Sequence, residues 1–362
     1  RHKMNKDSFL HAIAIIAAVA CFFSSCSRQG NISVPASDPN ILYMGRIHWS
    51  DTLTADFNYP GVTAMLNFNG TGLSMAAKPG SGQFMVEVDN DDAFKINFTD
   101  SISNIVLADS LPCGRHSARI TYAIEGHEKQ PSIHGFEIFG PDAKLLPAPE
   151  RPALKIEFIG NSITCGYGTE ADSGQVHFSY ENENHTLSYA YLTARALDAD
   201  FNVVAKSGIG MYRSYGGPRE GTPGNRIPDL YDRTLFYTHD YEWDHSSFRP
   251  DIICINLGTN DTSLEMFEPE LFEAKYNEFL DRLRELQPQA RIVVLNGPML
   301  NGHWLEVVTE SLDRVAEGRE GVSRFDFSPC TGELGYGADF HPSRARAVRM
   351  ADELIPYLQS IL

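Results

Sequence analysis

Basic residues are the scarce class of charge in this 362-residue chain: 30 lysines and arginines stand against 47 acids, a formal charge of -17. A surface of that sign excludes nucleic acid and generally anionic partners, and it says nothing about neutral ligands such as sugars. Cysteine is sparse, with 6 in all, and none stands in a paired C-x-x-C spacing that would hold zinc. His177, His185, His239, His245 and His303 fall in loops or near turns without metal-ligand spacing. They read as surface residues, and neither a metal nor an organic cofactor is expected. Beyond Phe23 no apolar run is long enough to cross a bilayer.

The one extended apolar run, Leu10 to Phe23, stands at the front, after Lys3 and Lys6 and before Ser24-Ser25-Cys26-Ser27. That order resembles a secretory signal ending at a lipid-modified cysteine. Cys26 is the favoured site, because the polar stretch begins right after it; Cys21, after Ala18-Val19-Ala20, is the alternative. Residues 1–26 are therefore expected to direct export to a bacterial cell envelope, with an acyl anchor as the only membrane contact. Residues 27–40, polar and containing Pro35 and Pro39, read as a tether. Cys113, Cys165, Cys254 and Cys330 remain. An exported chain permits a disulfide, but the sequence does not choose a pairing. Cys254 reads as core and Cys165 as packing.

From residue 41 to 148 short strands alternate with Gly, Asn, Asp and Pro turns: Val62–Phe68, Phe84–Val88, Arg119–Ile124 and Ile133–Phe139. No helical period interrupts them, which predicts a β-sandwich of jelly-roll type. The run Leu146-Pro147-Ala148-Pro149-Glu150-Arg151-Pro152 is the domain junction. Residues 153–362 then alternate strand and helix. Strands are predicted at 155–159, 201–205, 252–257 and 291–295, and helices at 188–197, 267–286, 304–318 and 344–358. That alternation predicts an α/β domain, a parallel sheet covered on both faces. The stretch 216–247 fits neither pattern and reads as a long functional insertion.

Four polar stretches end predicted strands or precede the last helix: Gly160-Asn161-Ser162, Ser207-Gly208-Ile209-Gly210, Gly258-Thr259-Asn260-Asp261 and Asp339-Phe340-His341-Pro342. In an α/β domain they would meet along the carboxyl edge of one sheet. Ester cleavage needs a serine to attack, a histidine to move its proton, and donors aimed at the developing oxyanion. Ser162 and His341 can fill the first two roles. The Ser162 N–H, the Gly208 N–H and the Asn260 amide can supply the donors, with Gly210 as the alternative to Gly208. Trp304 and Tyr212 follow strand ends at the same edge, where aromatic rings stack on sugars or pack into the core.

These four blocks resemble those of the SGNH (GDSL-like) hydrolases, and the resemblance covers residues 153–362. It implies a three-layer α/β/α catalytic domain with Ser162, Gly208, Asn260 and His341 in the named roles. The preceding sandwich, together with Leu145-Leu146-Pro147-Ala148 and Ile163-Thr164-Cys165-Gly166-Tyr167-Gly168, resembles carbohydrate esterase family 2, which includes acetylxylan esterases. The implied activity is removal of acetyl groups from polysaccharide. Two positions depart from the usual pattern. Asn161 stands where most members have Asp, and keeps the turn through a similar hydrogen bond without the charge. Ala338 stands where the acid three residues before the histidine is usual, so either Asp339 or a backbone carbonyl must orient the imidazole. The expected machinery is thus Ser162 and His341, with Asp339 as the third member. Two other readings compete: a lipase or thioesterase with an apolar acyl tunnel, and a glycan-binding lipoprotein with an inactive hydrolase domain.

Overall fold

A computed structural model describes residues 30–362. The two lipidation candidates, Cys21 and Cys26, lie outside them. Two antiparallel sheets, each of 6 strands, form the N-terminal β-sandwich. One carries Thr63–Gly70, Gly82–Val88 and Gly114–Tyr122 side by side; the other is built on Gly72–Ala77 and Ser132–Phe139. Strands alternate inward and outward, so Ala64, Leu66 and Phe68 reach a core shared with Phe84, Val86, Phe98 and Ile120. Each of the larger side chains contributes on the order of 1.5–3 kcal/mol by leaving water.

The expected tether is corrected here. Residues Ile32–Pro35 form a strand that pairs antiparallel with Ser132–Phe139, Val34 lying opposite Phe136. Val34 and Ala36 are buried. The flanking prolines and polar residues masked this short edge strand, where Pro35 is tolerated because it ends the pairing.

The C-terminal domain has a 5-stranded parallel sheet. Its order is Asp200–Ala205, Lys155–Gly160, Ile252–Asn256, Arg291–Asn296, Val322–Asp326. Alternation along the strands makes the three layers. Ile253, Ile255, Ile292 and Val294 face the helices Pro269–Leu286 and Gly302–Ala316 through Phe272, Tyr276, Val308 and Leu312. Ile252, Cys254, Val293 and Leu295 face Tyr189–Ala196 and Arg344–Ile361 through Tyr189, Met350 and Leu354. Sequence reading missed the fifth strand, because Val322–Asp326 is a half-exposed edge with polar residues on it.

The strand order reverses at Lys155–Gly160: the chain steps outward to Asp200–Ala205, then returns past the first strand to Ile252–Asn256. A crevice opens at such a reversal, beyond the carboxyl ends of the strands. The long insertion lies elsewhere, against the sandwich. Phe236 N–H donates to Asn58 Oδ1 at 3.2 Å, and the Tyr59 hydroxyl donates to the Leu230 carbonyl at 3.2 Å. Arg46 of the sandwich, fully buried, donates to the carbonyls of Tyr231 and Arg233 at 2.5 and 2.8 Å and reaches Glu157 Oε1 at 3.4 Å. The Tyr231 hydroxyl and the Asn202 amide satisfy the same Glu157 carboxylate at 2.6 and 2.8 Å. The insertion therefore ties the sandwich to Lys155–Gly160, the strand at which the sheet order reverses.

Removing one partner of a buried ion pair leaves the other charge uncompensated and costs about 3–5 kcal/mol. Arg46→Met is expected to lower unfolding stability by about 3 kcal/mol in urea titration. Adding Glu157→Gln to that variant should recover part of the loss. A loss below about 1 kcal/mol would show that the pair does not carry the junction.

Candidate active site

Ser162 is the first residue of the single helical turn Ser162–Cys165, entered directly from the strand Lys155–Gly160. Asn161 caps the turn, its Oδ1 accepting from Ile163 N–H at 3.1 Å. An amide oxygen thus does the capping that an Asp would do elsewhere. The Ser162 N–H, at the start of the turn, has no intrahelical acceptor.

His341 lies 2.8 Å away, Nε2 to Ser162 Oγ, although 179 residues separate them in the chain. It follows the short turn Ala338–Phe340. Its Nδ1 is 3.1 Å from the Ala338 carbonyl. A carbonyl only accepts, so Nδ1 carries the hydrogen and Nε2 is left bare to accept from the serine hydroxyl. Burial pushes the imidazole pKa down to about 4, which keeps the ring neutral at ordinary pH.

The Asp339 carboxylate makes no hydrogen bond to the imidazole, and its expected place as third member is corrected. Its backbone is left-handed, with φ of 48°. That turns the carboxylate toward the Tyr167 hydroxyl at 2.7 Å, His177 Nδ1 at 2.8 Å and the Phe178 N–H at 2.9 Å. These hydrogen bonds, from His177 first and then Tyr167, hold its pKa below the usual carboxylate range. The Tyr167 ring lies flat on His341, with centroids 4.0 Å apart and planes at 26°. Asp339 therefore holds the ring that supports the imidazole, rather than the imidazole itself. Tyr167 reaches this position because Gly166 and Gly168 flank it with φ of 87° and 65°. The loop docks directly on the histidine turn: Ala338 N–H donates to the Gly168 carbonyl at 3.1 Å.

Gly208 has φ of 76°, and its N–H has no acceptor among the described residues. Gly210 N–H is occupied by Ser214 Oγ at 3.3 Å. Of the two glycines, Gly208 is the one that lines the cavity beside Ser162 and His341. Asn260 Nδ2 donates one hydrogen to the Ile209 carbonyl at 2.8 Å. The same bond ties the strand-end turn 258–261 to the 208–210 loop. Asp261, fully buried, accepts the N–H groups of Met211, Tyr212 and Arg213 at 2.8 to 3.1 Å. The buried Arg213 guanidinium closes the other side, bonding the Asp261 and Ser263 carbonyls at 2.9 and 2.8 Å.

That clamp explains a second correction. Tyr212 turns inward against Phe267 and Phe272, with its hydroxyl accepting the Glu268 N–H at 2.9 Å. It is packing and not a sugar platform. Trp304 packs edge-on against Phe267 and does not line the cavity. The aromatic rings that do line it are Tyr167 and Tyr215, the latter 68% exposed, together with Thr259, Ser263 and Met299. The cavity measures about 420 Å³. A larger depression of about 700 Å³ lies at the opposite, amino edge of the sheet, beside Pro288 and Gly321, away from this chemistry.

Among the histidines read as surface residues, His185 is corrected. It is fully buried, its Nδ1 bonded to the Thr164 carbonyl at 2.9 Å, and burial pushes its pKa down to about 4. The thiol of Cys165 is buried as well, with its pKa pushed up by burial, which makes it a poor nucleophile.

A parallel sheet between two helical layers, with a serine–histidine pair at its strand reversal, defines a serine hydrolase on a three-layer α/β/α domain. Residues 158–346 match the GDSL-like lipase/acylhydrolase family, and residues 43–149 match the carbohydrate esterase 2 N-terminal domain. The chain is 30% identical over 351 residues to the acetylxylan esterase/glucomannan deacetylase of Cellvibrio japonicus, covering 94% of this chain and 96% of that one. It is 36% identical to the cellulase/esterase CelE of Acetivibrio thermocellus over 90% of its own length, but spans only 40% of that larger protein. Solved structures agree. A family two carbohydrate esterase from Clostridium thermocellum, in complex with cellohexaose, superposes with a TM-score of 0.82 at 36% identity, covering 89% of this chain and 98% of that chain. One from Cellvibrio japonicus gives 0.84 at 30%, covering 91% and 98%. The chain belongs to family 2 of the carbohydrate esterases, and it is a carboxylic ester hydrolase.

If burial sets the state of His341, its ring should stay neutral from pH 8 down to about 4 in nitrogen-detected NMR, with the hydrogen on Nδ1. A midpoint near the ordinary value of 6.5 would show instead that solvent reaches the ring freely.

Proposed function

We propose that this esterase removes O-acetyl groups from carbohydrate through an acetyl-enzyme formed on Ser162. The observation that carries the reading is the 2.8 Å contact between Ser162 Oγ and a neutral His341, above a small cavity lined by Gly208 and Asn260. Ser162 attacks the acetyl carbonyl while Nε2 takes the hydroxyl proton. The negative charge that builds on the carbonyl oxygen meets the Ser162 N–H, the Gly208 N–H and the free hydrogen of the Asn260 amide. His341 returns its proton to the departing sugar hydroxyl. Water, deprotonated by the same nitrogen, then attacks the acetyl-serine, the acyl–oxygen bond breaks, and the nitrogen returns the proton to Ser162 Oγ as acetate leaves. The Ala338 carbonyl, in place of a carboxylate, stabilises the imidazolium and fixes its tautomer. Tyr167, braced by Asp339, keeps the ring flat and in place.

Acetylated xylan or glucomannan is the substrate class, in keeping with the relative from Cellvibrio japonicus. The competing lipase reading would want a long apolar channel, and the cavity lining mixes Thr259, Ser263 and Asp339 with Tyr167, Tyr215 and Met299. We further propose export and lipidation at Cys26. No helix among the described residues is long and apolar enough to cross a membrane. Radiolabelled palmitate should enter the chain produced in a bacterial host, and Cys26→Ser should abolish the label; retention of label would move the site to Cys21.

Acetate release should fall by on the order of 10⁴-fold or more in Ser162→Ala and in His341→Ala. Asn260→Ala should lose about 10²- to 10³-fold in kcat, as expected for one oxyanion donor. Asp339→Ala should lose much less than His341→Ala, because it acts through Tyr167. Acetylated xylan, acetylated glucomannan and long-chain esters tested in parallel decide the substrate class. Faster cleavage of long chains would replace this reading with the lipase one, and unchanged activity in Ser162→Ala would end it.

A further inference from the structure

We propose that Glu125, supplied by the β-sandwich, is a positioning residue for the esterase reaction: its carboxylate holds the Ser207 N–H and thereby sets where the neighbouring Gly208 N–H points. The inference rests on the reading above, in which Gly208 faces the acyl oxygen.

Glu125 lies just past the strand Gly114–Tyr122, on a turn pressed under the catalytic edge. The turn is fastened before Glu125 and at its own backbone. His185 N–H donates to the Ala123 carbonyl at 2.7 Å, and Glu125 N–H donates to Glu183 Oε2 at 3.2 Å. The carboxylate is buried, and its Oε2 accepts from Ser207 N–H at 2.7 Å and from the Cys165 thiol at 3.6 Å. Ser207 is the residue before Gly208, and Cys165 closes the turn that Ser162 opens. One oxygen of the sandwich thus holds the backbone beside Gly208 and touches a side chain of the turn that begins at Ser162. A shift of about 1 Å in such a donor costs on the order of 10²-fold in rate.

The second buried acid explains how the sandwich tolerates the arrangement. Glu183 is fully buried, and burial, reinforced by Glu125, pushes its pKa well above the carboxylate range. That shift favours the protonated form of Glu183 and so lessens its repulsion with Glu125. Glu125, Cys165 and Glu183 present ligand atoms within 4.8 Å of one another, a spacing that a cation could use. The Glu125 oxygen is already engaged by the Ser207 N–H and the thiol, which favours hydrogen bonding over metal binding.

Whole enzyme carrying Glu125→Ala should lose about 10- to 100-fold in kcat on 4-nitrophenyl acetate, with KM changed less than about twofold. Glu125→Gln keeps an acceptor oxygen in the same place and should retain at least about a third of the wild-type kcat. If Glu125→Ala does not fold, Glu125→Met replaces it, being close in length and lacking an acceptor. Equal kcat in the acceptor-keeping and acceptor-lacking variants overturns the proposal, and so does a stoichiometric metal ion in the purified wild type. Ser162→Ala is assayed alongside. If it is inactive while Glu125→Ala keeps full kcat, only this inference falls; if it remains active, the functional reading itself fails.

Discussion

A neutral imidazole held within bonding reach of a serine hydroxyl 179 residues away is the constraint on which the rest of this structure depends. Neither group is unusual alone. What the fold supplies is a ring with one nitrogen committed to a backbone carbonyl, buried enough to stay unprotonated, and aimed by its neighbours. The strand reversal at Lys155–Gly160 creates the edge at which this is possible. The turn after that strand presents Ser162, and the turn before the last helix presents His341.

A carbonyl in place of a carboxylate changes the electrostatics without changing the geometry. A carboxylate would stabilise the imidazolium by charge, whereas the Ala338 oxygen offers only a dipole. The surroundings carry more of the task in consequence. Tyr167 stacks at 4.0 Å and offers a π face to the developing cation. The Asp339 carboxylate is not hydrogen-bonded to the imidazole, yet its charge remains close by. The left-handed backbone at Asp339 is the local cost of turning that side chain toward Tyr167 and Phe178.

Much of this was legible in the residues because the periodic elements announce themselves. The mostly apolar runs at Ile156–Ile159 and Ile252–Leu257 read as buried parallel strands, and the polar breaks after them pointed to the site. Asn161 in place of the family's usual Asp was readable once the resemblance was drawn, since an amide oxygen can make the same capping bond. The failures share one physical cause, which is that side-chain direction in irregular backbone is not periodic. Tyr212 and Tyr215 stand three residues apart in one loop. The Asp261 clamp turns the first inward, while the second stands in solvent. No spacing rule distinguishes them. Tyr167 sat in a Gly-Tyr-Gly run whose flanking left-handed glycines were the available signal that a ring would be laid flat there. The edge strands Ile32–Pro35 and Val322–Asp326 were hidden because half-exposed strands lack the apolar continuity that marks central ones.

The sandwich is more than an appendage to the hydrolase. Its Arg46 is buried against Glu157 of the strand Lys155–Gly160, its Tyr59 and Asn58 grip the long insertion, and its Glu125 reaches beneath the catalytic edge. Buried polar contacts of this kind contribute little net stability compared with apolar packing, because each group must first leave water. They are intolerant of misalignment, however, since any slip leaves a charge or an N–H unsatisfied. Two domains joined this way are fixed in one relative orientation more strongly than they are held together. That property suits a site whose donors belong to one domain and are braced by a carboxylate from the other.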